Sequence, residues 1–351
     1  MKIYIRATES ISPQLSFGNE GLLADLQVYE ANRLSCLEPD YKSLIDPKQI
    51  RRMSRVIKMG VASALGCLKK ADVEVPDAII TGTAYGCLED TSSFLTKLVN
   101  QNEEMLTPTA FIQSTHNTIG AQIALLLKCH NYNNTYVHRG FSFENALLDA
   151  ILLLKEQSAE NVLVGGVDEL TDTSFQILNR FGFFKQAFTN ELYNAPSKGS
   201  IAGEGASFVL LANQPGNNDN AVLEAVSTFY KPATIEESQE KINRFLLDND
   251  LSPNDIDVVI TGRNGDETND VVYDQLMSGM FRNKTEVCFK HLCGEYPTAS
   301  SFALWMAASI IKKQKVDKKL IHHGEDVIPQ RILIYNHSQG IHHSLMLISG
   351  C

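Results

Sequence analysis

The stretch Asn134–Ala150, NTYVHRGFSFENALLDA, decides the fold. Thr135–His138 reads as a short strand, Arg139 and Gly140 as a tight turn, and the apolar run from Phe143 to Gln157 as a helix. A strand, a turn and a helix in so few residues place Gly140 at a helix N-terminus, where backbone N–H groups point outward and favour negative charge.

Working outward, strands and helices alternate. Lys2–Arg6 is expected as an edge strand ended by Pro13. Arg51–Lys69 carries apolar residues at helical spacing (Val56, Met59, Ala62, Leu65, Leu68), so it predicts a long helix. Asp77–Gly82 predicts a central strand, Thr118–Cys129 a helix and Asn161–Val167 a strand. Ile201–Leu211 and Val222–Tyr230 are expected to pair. Ile235–Asp248 reads as helix, Asp257–Thr261 as strand and Thr298–Lys312 as helix. Arg331–Asn336 and Ser344–Ile348 close the chain as strands. This alternation predicts an α/β fold with mainly parallel sheets covered on both faces. The polar run QPGNNDN, Gln214–Asn220, marks a break, so two related halves are expected, 1–216 and 217–351.

Composition limits the function classes. The 351 residues are 44% hydrophobic and 8% aromatic, enough for a large core. Net charge is −10, from 31 Lys and Arg against 41 Asp and Glu. With no basic block, neither nucleic acid nor an anionic membrane surface is an expected partner. No apolar stretch is long enough to span a bilayer and no secretory leader is evident, so a cytoplasmic location is expected. The seven cysteines (36, 67, 87, 129, 288, 293 and 351) are odd in number, irregularly spaced and without C-x-x-C, which suits buried reduced thiols. No cofactor or metal is expected. Adjacent histidines on a strand point to opposite faces, so neither His322–His323 nor His342–His343 chelates by itself. Lys312–Lys319 reads as a solvated helix end, or else as a docking patch for an acidic carrier.

A family resemblance runs along nearly the whole chain. Thr135, Ser142 and Ala146 keep the frame T-x-x-x-A-C-x-S-x-x-x-A, in which β-ketoacyl synthases of the thiolase superfamily carry their nucleophile. The openings IYIRATESISP (Ile3–Pro13) and RRMSRVIKMGVASA (Arg51–Ala64) resemble that family. So do AIITGTAYG (Ala78–Gly86), NVLVGGVDEL (Asn161–Leu170) and KGSIAGEGASFVLL (Lys198–Leu211). SPNDIDVVITG (Ser252–Gly262) and FKHLCGEYPTASSFALWMAA (Phe289–Ala308) resemble the stretches that lead to its two catalytic histidines. The resemblance implies a five-layered αβαβα fold made of two related halves.

It also implies lost chemistry. Gly140 stands where the acylated cysteine belongs. The first histidine falls near Gly262–Asn264, and the second at Glu295, where a carboxylate opposes an enolate instead of stabilising it. Lys290, Glu204 and Asp270 match polar family positions. With His138 they are expected as a vestigial network, Lys290 pairing with Glu204 or Glu295. NHSQGIHHS, Asn336–Ser344, replaces a glycine-rich gating loop. In this family an active ketosynthase can pair with an inactive sister, the chain length factor, that shapes the acyl tunnel in polyketide or aryl polyene synthesis. The resemblance implies such a sister, with an active β-ketoacyl synthase as stable partner and an acyl carrier protein as transient one. Asn133–His138 is then the pairing strand, and Phe111–Thr118 reaches toward the partner. Two alternatives stay open: an acyltransferase or hydrolase of altered mechanism using Cys293, His138 or Glu295, and a homodimeric acyl-binding scaffold. Cys87 and His291 are lesser candidates, more readily read as buried structural residues.

Overall fold

The computed structural model describes residues 2–19, 26–186, 192–193 and 197–351. In the first half, strand β1 (Ile3–Ile11) precedes helices α1 (Pro47–Ile50) and α2 (Arg55–Ala71) and strand β2 (Ala78–Gly82). Helices α3 (Leu88–Asn100), α4 (Pro108–Gln113) and α5 (Thr118–Leu127) follow, then β3 (Tyr132–Tyr136), α6 (Ser142–Lys155), β4 (Asn161–Asp168), α7 (Asp172–Arg180) and β5 (Gly205–Ala212). The rest of the chain forms β6 (Ala221–Tyr230), α8 (Ile235–Leu247), β7 (Val258–Thr261), α9 (Val271–Ser278) and β8 (Thr285–Cys288). It ends with α10 (Lys290–Cys293), α11 (Ser300–Lys313), β9 (Ile321–His323), β10 (Arg331–Ser338) and β11 (His342–Ser349).

The strands run in the order β3-β2-β4-β5-β1-β6-β11-β10-β7-β8-β9. Two sets of five share one plan. In β3-β2-β4-β5-β1 the first three strands are parallel and the next two pairings antiparallel. The set β8-β7-β10-β11-β6 repeats that order and those directions. A short pairing of Ile3–Ile5 with Ala221–Leu223 joins them.

Helices α2 and α5 cover the outer face of the first set, packing Val56, Met59, Ile119 and Ile123 on Ile79, Leu163 and Phe208. Helices α6 and α11 lie between the two sets, where Phe143, Leu147, Trp305 and Met306 fill the core. Helices α8 and α9 cover the outer face of the second set with Ile242, Leu246, Tyr273 and Leu276. The layers are therefore α, β, α, β, α. Residues with positive φ stop three of these helices: Asp72 (φ 55), Lys128 (φ 52) and Gln314 (φ 51), each with its N–H turned back onto a helix carbonyl.

Three expectations need correction. β1 is no edge strand: it runs to Ile11 and lies between β5 and β6. Its length is disguised by polar residues that are buried with partners. Glu9 pairs with Lys70 at 3.0 Å, and the Ser10 and Ser207 hydroxyls meet at 2.8 Å. For the same reason β5 and β6 do not pair with each other, because β1 separates them. The sheet is mixed and not mainly parallel. Six pairings are antiparallel, among them the β10–β11 hairpin, which needs no crossover helix.

Candidate functional site

Gly140 sits in a 3-10 turn, Arg139–Phe141, that feeds directly into α6. Ser142 pins the turn: its hydroxyl accepts from the His138 N–H (2.8 Å) and donates to the Arg139 carbonyl (2.9 Å). Thr135 ties β3 to β2 through the Thr81 hydroxyl at 2.8 Å. The strand–turn–helix is therefore intact at the frame residues.

The space a nucleophile needs is not there. A Cβ on Gly140 would lie 2.8 Å from Ser338 Cβ and 3.0 Å from His342 Cβ. Both contacts are anchored to backbone, on facing positions of the β10–β11 hairpin. At Gly262 a Cβ would fall 2.2 Å from Asn336 Oδ1 and 2.7 Å from the Tyr273 hydroxyl. Neighbours crowd both glycines.

The residues next to Gly262 serve structure. Arg263 pairs with Asp274 (2.6 Å) and Glu286 (3.2 Å). Asn264 donates through Nδ2 to Glu295 Oε2 at 2.8 Å. Asp270 accepts the backbone N–H groups of Asn264 (2.9 Å) and Gly265 (2.8 Å), and burial pushes its carboxyl up to about 6. It holds the loop that carries Asn264.

Of the two expected partners for Lys290, the structure selects Glu295. Lys290 is fully buried, and its Nζ donates to Glu295 Oε2 at 2.6 Å and to the His337 carbonyl at 3.2 Å. Glu204 belongs to a different cluster. It takes a two-pronged contact from Arg55 (2.7 and 2.6 Å) and the N–H groups of Cys36 and Leu170. It is a strut between β5 and α2, not a neighbour of Lys290. His138 is exposed; its Nδ1 meets Asn145 Nδ2 at 2.9 Å, and its ring centre lies 6.3 Å from that of His342.

Sequence reasoning missed His337. Its Nδ1 accepts the Gly340 N–H at 3.0 Å, so the ring proton is on Nε2, which donates to the Asn269 carbonyl at 3.0 Å. Burial, and then the neighbouring His343, push it well below its ordinary value. It is a neutral peg under the hairpin. The turn at Gln339 and Gly340, both with positive φ, is the one signal that a hairpin stands where a gating loop was expected. His342 and His343 face opposite ways: His342 packs on Phe141 and Gly140, whereas His343 stacks on Phe229.

Cys87 and Cys293 are buried, and burial pushes both thiols up, away from the reactive thiolate. His291 contacts the Tyr193 hydroxyl at 3.2 Å and is pushed down to about 4 by burial. Among the described residues, no three His, Cys, Asp or Glu come together as a metal site. No described helix is long and apolar enough to cross a membrane.

Between the hairpin, α7 and the Asn264 loop lies a cavity of about 460 Å³. Its lining includes Tyr85, Arg139, Phe183, Lys198, Asn264 and Glu295, together with Gly140. Gly140 brings no side chain to this cavity, and Glu295 brings a carboxylate.

A family model described as the N-terminal domain of β-ketoacyl synthases matches residues 31–220, more than half of the chain. The chain belongs to the β-ketoacyl synthase family. A search of curated proteins finds no match. Solved ketosynthase structures share the fold over all of this chain. The ishigamide ketosynthase/chain length factor aligns at TM-score 0.83 and 15% identity, over 99% of that chain. A β-ketoacyl synthase from Burkholderia phymatum STM815 aligns at 0.81 and 15%, over 99%. A ketosynthase in complex with its chain length factor, from Xenorhabdus doucetiae, aligns at 0.79 and 15%, over 98%.

Proposed function

We propose that this β-ketoacyl synthase relative is a non-catalytic, chain-length-factor-like subunit. It pairs with an active β-ketoacyl synthase and shapes the acyl tunnel of the pair, in polyketide, aryl polyene or fatty-acid-like biosynthesis in the cytoplasm. An acyl carrier protein visits the pair transiently. The chain is read as two halves, 1–216 and 217–351. One observation supports the proposal: neighbours crowd Gly140 and Gly262, and Lys290 holds Glu295, at the three positions that the motifs align with the family's catalytic residues.

The surface supports pairing. β3 forms one end of the strand order, so among the described residues one side of it pairs with no strand. Exposed apolar residues gather near that edge and on α4, namely Tyr132, Val137, Leu125, Phe111 and Ile112. An open edge beside exposed apolar side chains favours covering by another chain. Two of the solved neighbours are described as a ketosynthase with a chain length factor. The alternative enzyme lacks its pieces. Cys293 is buried in the core, His138 is exposed on the surface, and Glu295 is held by Lys290.

Co-expression with a ketosynthase, followed by size exclusion with light scattering, tests the proposal. A 1:1 pair is expected, acylated only on the partner's cysteine by intact mass. A well-behaved monomer that ignores the ketosynthase would refute it. So would condensation by the pair that survives loss of the partner's cysteine. A homodimer with no affinity for a ketosynthase would favour the scaffold reading.

A further inference from the structure

We infer that the cavity beside Gly140 is a binding site for a planar aromatic anion with a hydroxyl donor at the end opposite its charge. The inference rests on which groups of the cavity are already used. Asp266 is spent on backbone: its carboxylate accepts the N–H groups of Gly199, Thr268 and Asn269. Asn264 is spent too, donating to Glu295 and accepting the Asp266 N–H. Glu295 takes both Lys290 and Asn264 on Oε2. Its Oε1 makes no hydrogen bond among the described residues, and the side chain keeps 17% of its surface open. Glu295 lines the cavity with most of its side chain buried.

The cations lie at the other end. Arg139 and Lys198 line the same cavity, are exposed, and form no ion pair among the described residues. The difference in exposure sets a direction, with the more buried carboxylate at one end and the two exposed cations at the other. Aromatic side chains form much of the wall between, with Tyr85, Phe181, Phe183 and Phe184 in the lining. Phe184 is itself fixed by stacking on Phe175, ring centres 5.4 Å apart and planes 9° apart. Aromatic walls favour a flat ring. At about 460 Å³ the cavity suits a ring with a short tail.

Charge settles the orientation. An anion at the deep end meets the Glu295 carboxylate, while the Lys290 cation that balances it is fully buried and beyond a ligand's reach. A phenolic hydroxyl there donates to Oε1 in a charge-assisted hydrogen bond, while a carboxylate at the rim meets Arg139 and Lys198. This polarity is the reverse of a condensing site, which needs donors at depth.

Calorimetric titration of the purified chain, alone and with its partner, tests the site with 3-(4-hydroxyphenyl)propionate and 3-phenylpropionate. The hydroxy acid is expected to bind about ten- to a hundredfold more tightly, the worth of one hydrogen bond to a charged group. Glu295→Gln should bring the two acids within about threefold of each other. Arg139→Gln with Lys198→Gln, both on the surface, should weaken both acids alike and keep their ratio. Equal affinity of the two acids for the unaltered protein overturns the inference without any variant. So does a ratio that survives Glu295→Gln in a folded protein, or no binding of either acid at millimolar concentration. Light scattering of the pair reports separately on assembly, so failure here leaves the subunit proposal standing.

Discussion

Adding one methyl group at position 140 tests how tightly the β10–β11 hairpin closes over Gly140. Gly→Ala ordinarily stabilises a compatible site by about 0.4–1 kcal/mol, because the unfolded chain loses freedom. The φ of Gly140 lies outside the left-handed region, so dihedral strain does not oppose the change. Crowding does. Carbon atoms in contact prefer about 3.5–4.0 Å, and the new Cβ meets Ser338 Cβ at 2.8 Å and His342 Cβ at 3.0 Å. Neither neighbour can rotate away, since a Cβ moves only with its backbone and both residues are paired in the hairpin. Relief needs a shift of roughly an ångström in two strands, an overpacking cost of about 1–3 kcal/mol. With an unfolding entropy near 2 cal/mol/K per residue, that lowers Tm by roughly 1–4 °C. Gly140→Cys should cost at least as much, and Ser338→Gly should return part of the loss. Differential scanning fluorimetry with denaturant titration measures it, and intact mass after incubation with acyl-carrier substrates tests the thiol. At most slow self-acylation and no carbon–carbon bond formation are expected from the cysteine variant. Gly140→Ala as stable as the unaltered chain would refute the closing-over. Condensation by Gly140→Cys alone would refute the loss of the remaining chemistry.

Three further outcomes follow from the same geometry. Cys351 is the exposed thiol and the other six are buried, so iodoacetamide at neutral pH should add one label to the folded chain and seven after unfolding, read by mass; rapid native labelling of Cys87 or Cys293 would contradict this. Glu295→Ala strands the fully buried Lys290 cation and should cost about 3–5 kcal/mol in denaturant titration, whereas Lys290→Met leaves a partly open carboxylate still bonded to Asn264 and should cost less; the reverse order would show the pair is misread. His291 and His343 are pushed down to about 4 by burial, so their contribution is full above about 6.5 and is lost as pH falls toward 4. Asp168 and Asp270 at about 6 and Glu169 at about 7, all raised by burial, contribute fully below about 4 and lose it as pH rises through those values. The two sets oppose each other, and Glu169→Gln removes one member of the carboxyl set, so the stability of that variant relative to the unaltered chain should fall as pH is lowered from 7 toward 4; a difference that does not change with pH would refute the buried carboxyl.

Local patterns in the sequence carried the element order and the position of Gly140, because a strand–turn–helix and its frame residues lie within seventeen positions. The α/β class and the five layers followed from the same alternation and from the family motifs. What stayed hidden depends on distant pairs. The placement of β1 in the middle of the sheet rests on neighbours some two hundred residues away, and buried Thr8, Glu9 and Ser10 make it look like a surface strand. β8 escaped notice because it is short and carries Glu286, whose charge is met by Arg263. Glu204 looked like a member of the old site because its motif survives, yet its partner Arg55 comes from α2, 149 residues earlier. The crowding at Gly140 is set by Ser338 and His342, and nothing near position 140 announces it.

The buried lysine gives a physical reason why Glu295 and the two glycines belong together. Lys290 has no exposed surface, and a cation in such a place requires a counter-charge. Among the described residues its one carboxylate contact is Glu295, at 2.6 Å. A neutral side chain at 295 would leave that ammonium without its carboxylate, so Glu295 settles the charge of Lys290. At the same time Asn336 and Tyr273 occupy the space beside Gly262, and the hairpin occupies the space beside Gly140. Each of the three positions is fixed by local packing or charge balance. A side chain at 140 or 262, or a neutral one at 295, must therefore work against the fold, and one at 140 must shift the β10–β11 hairpin as well.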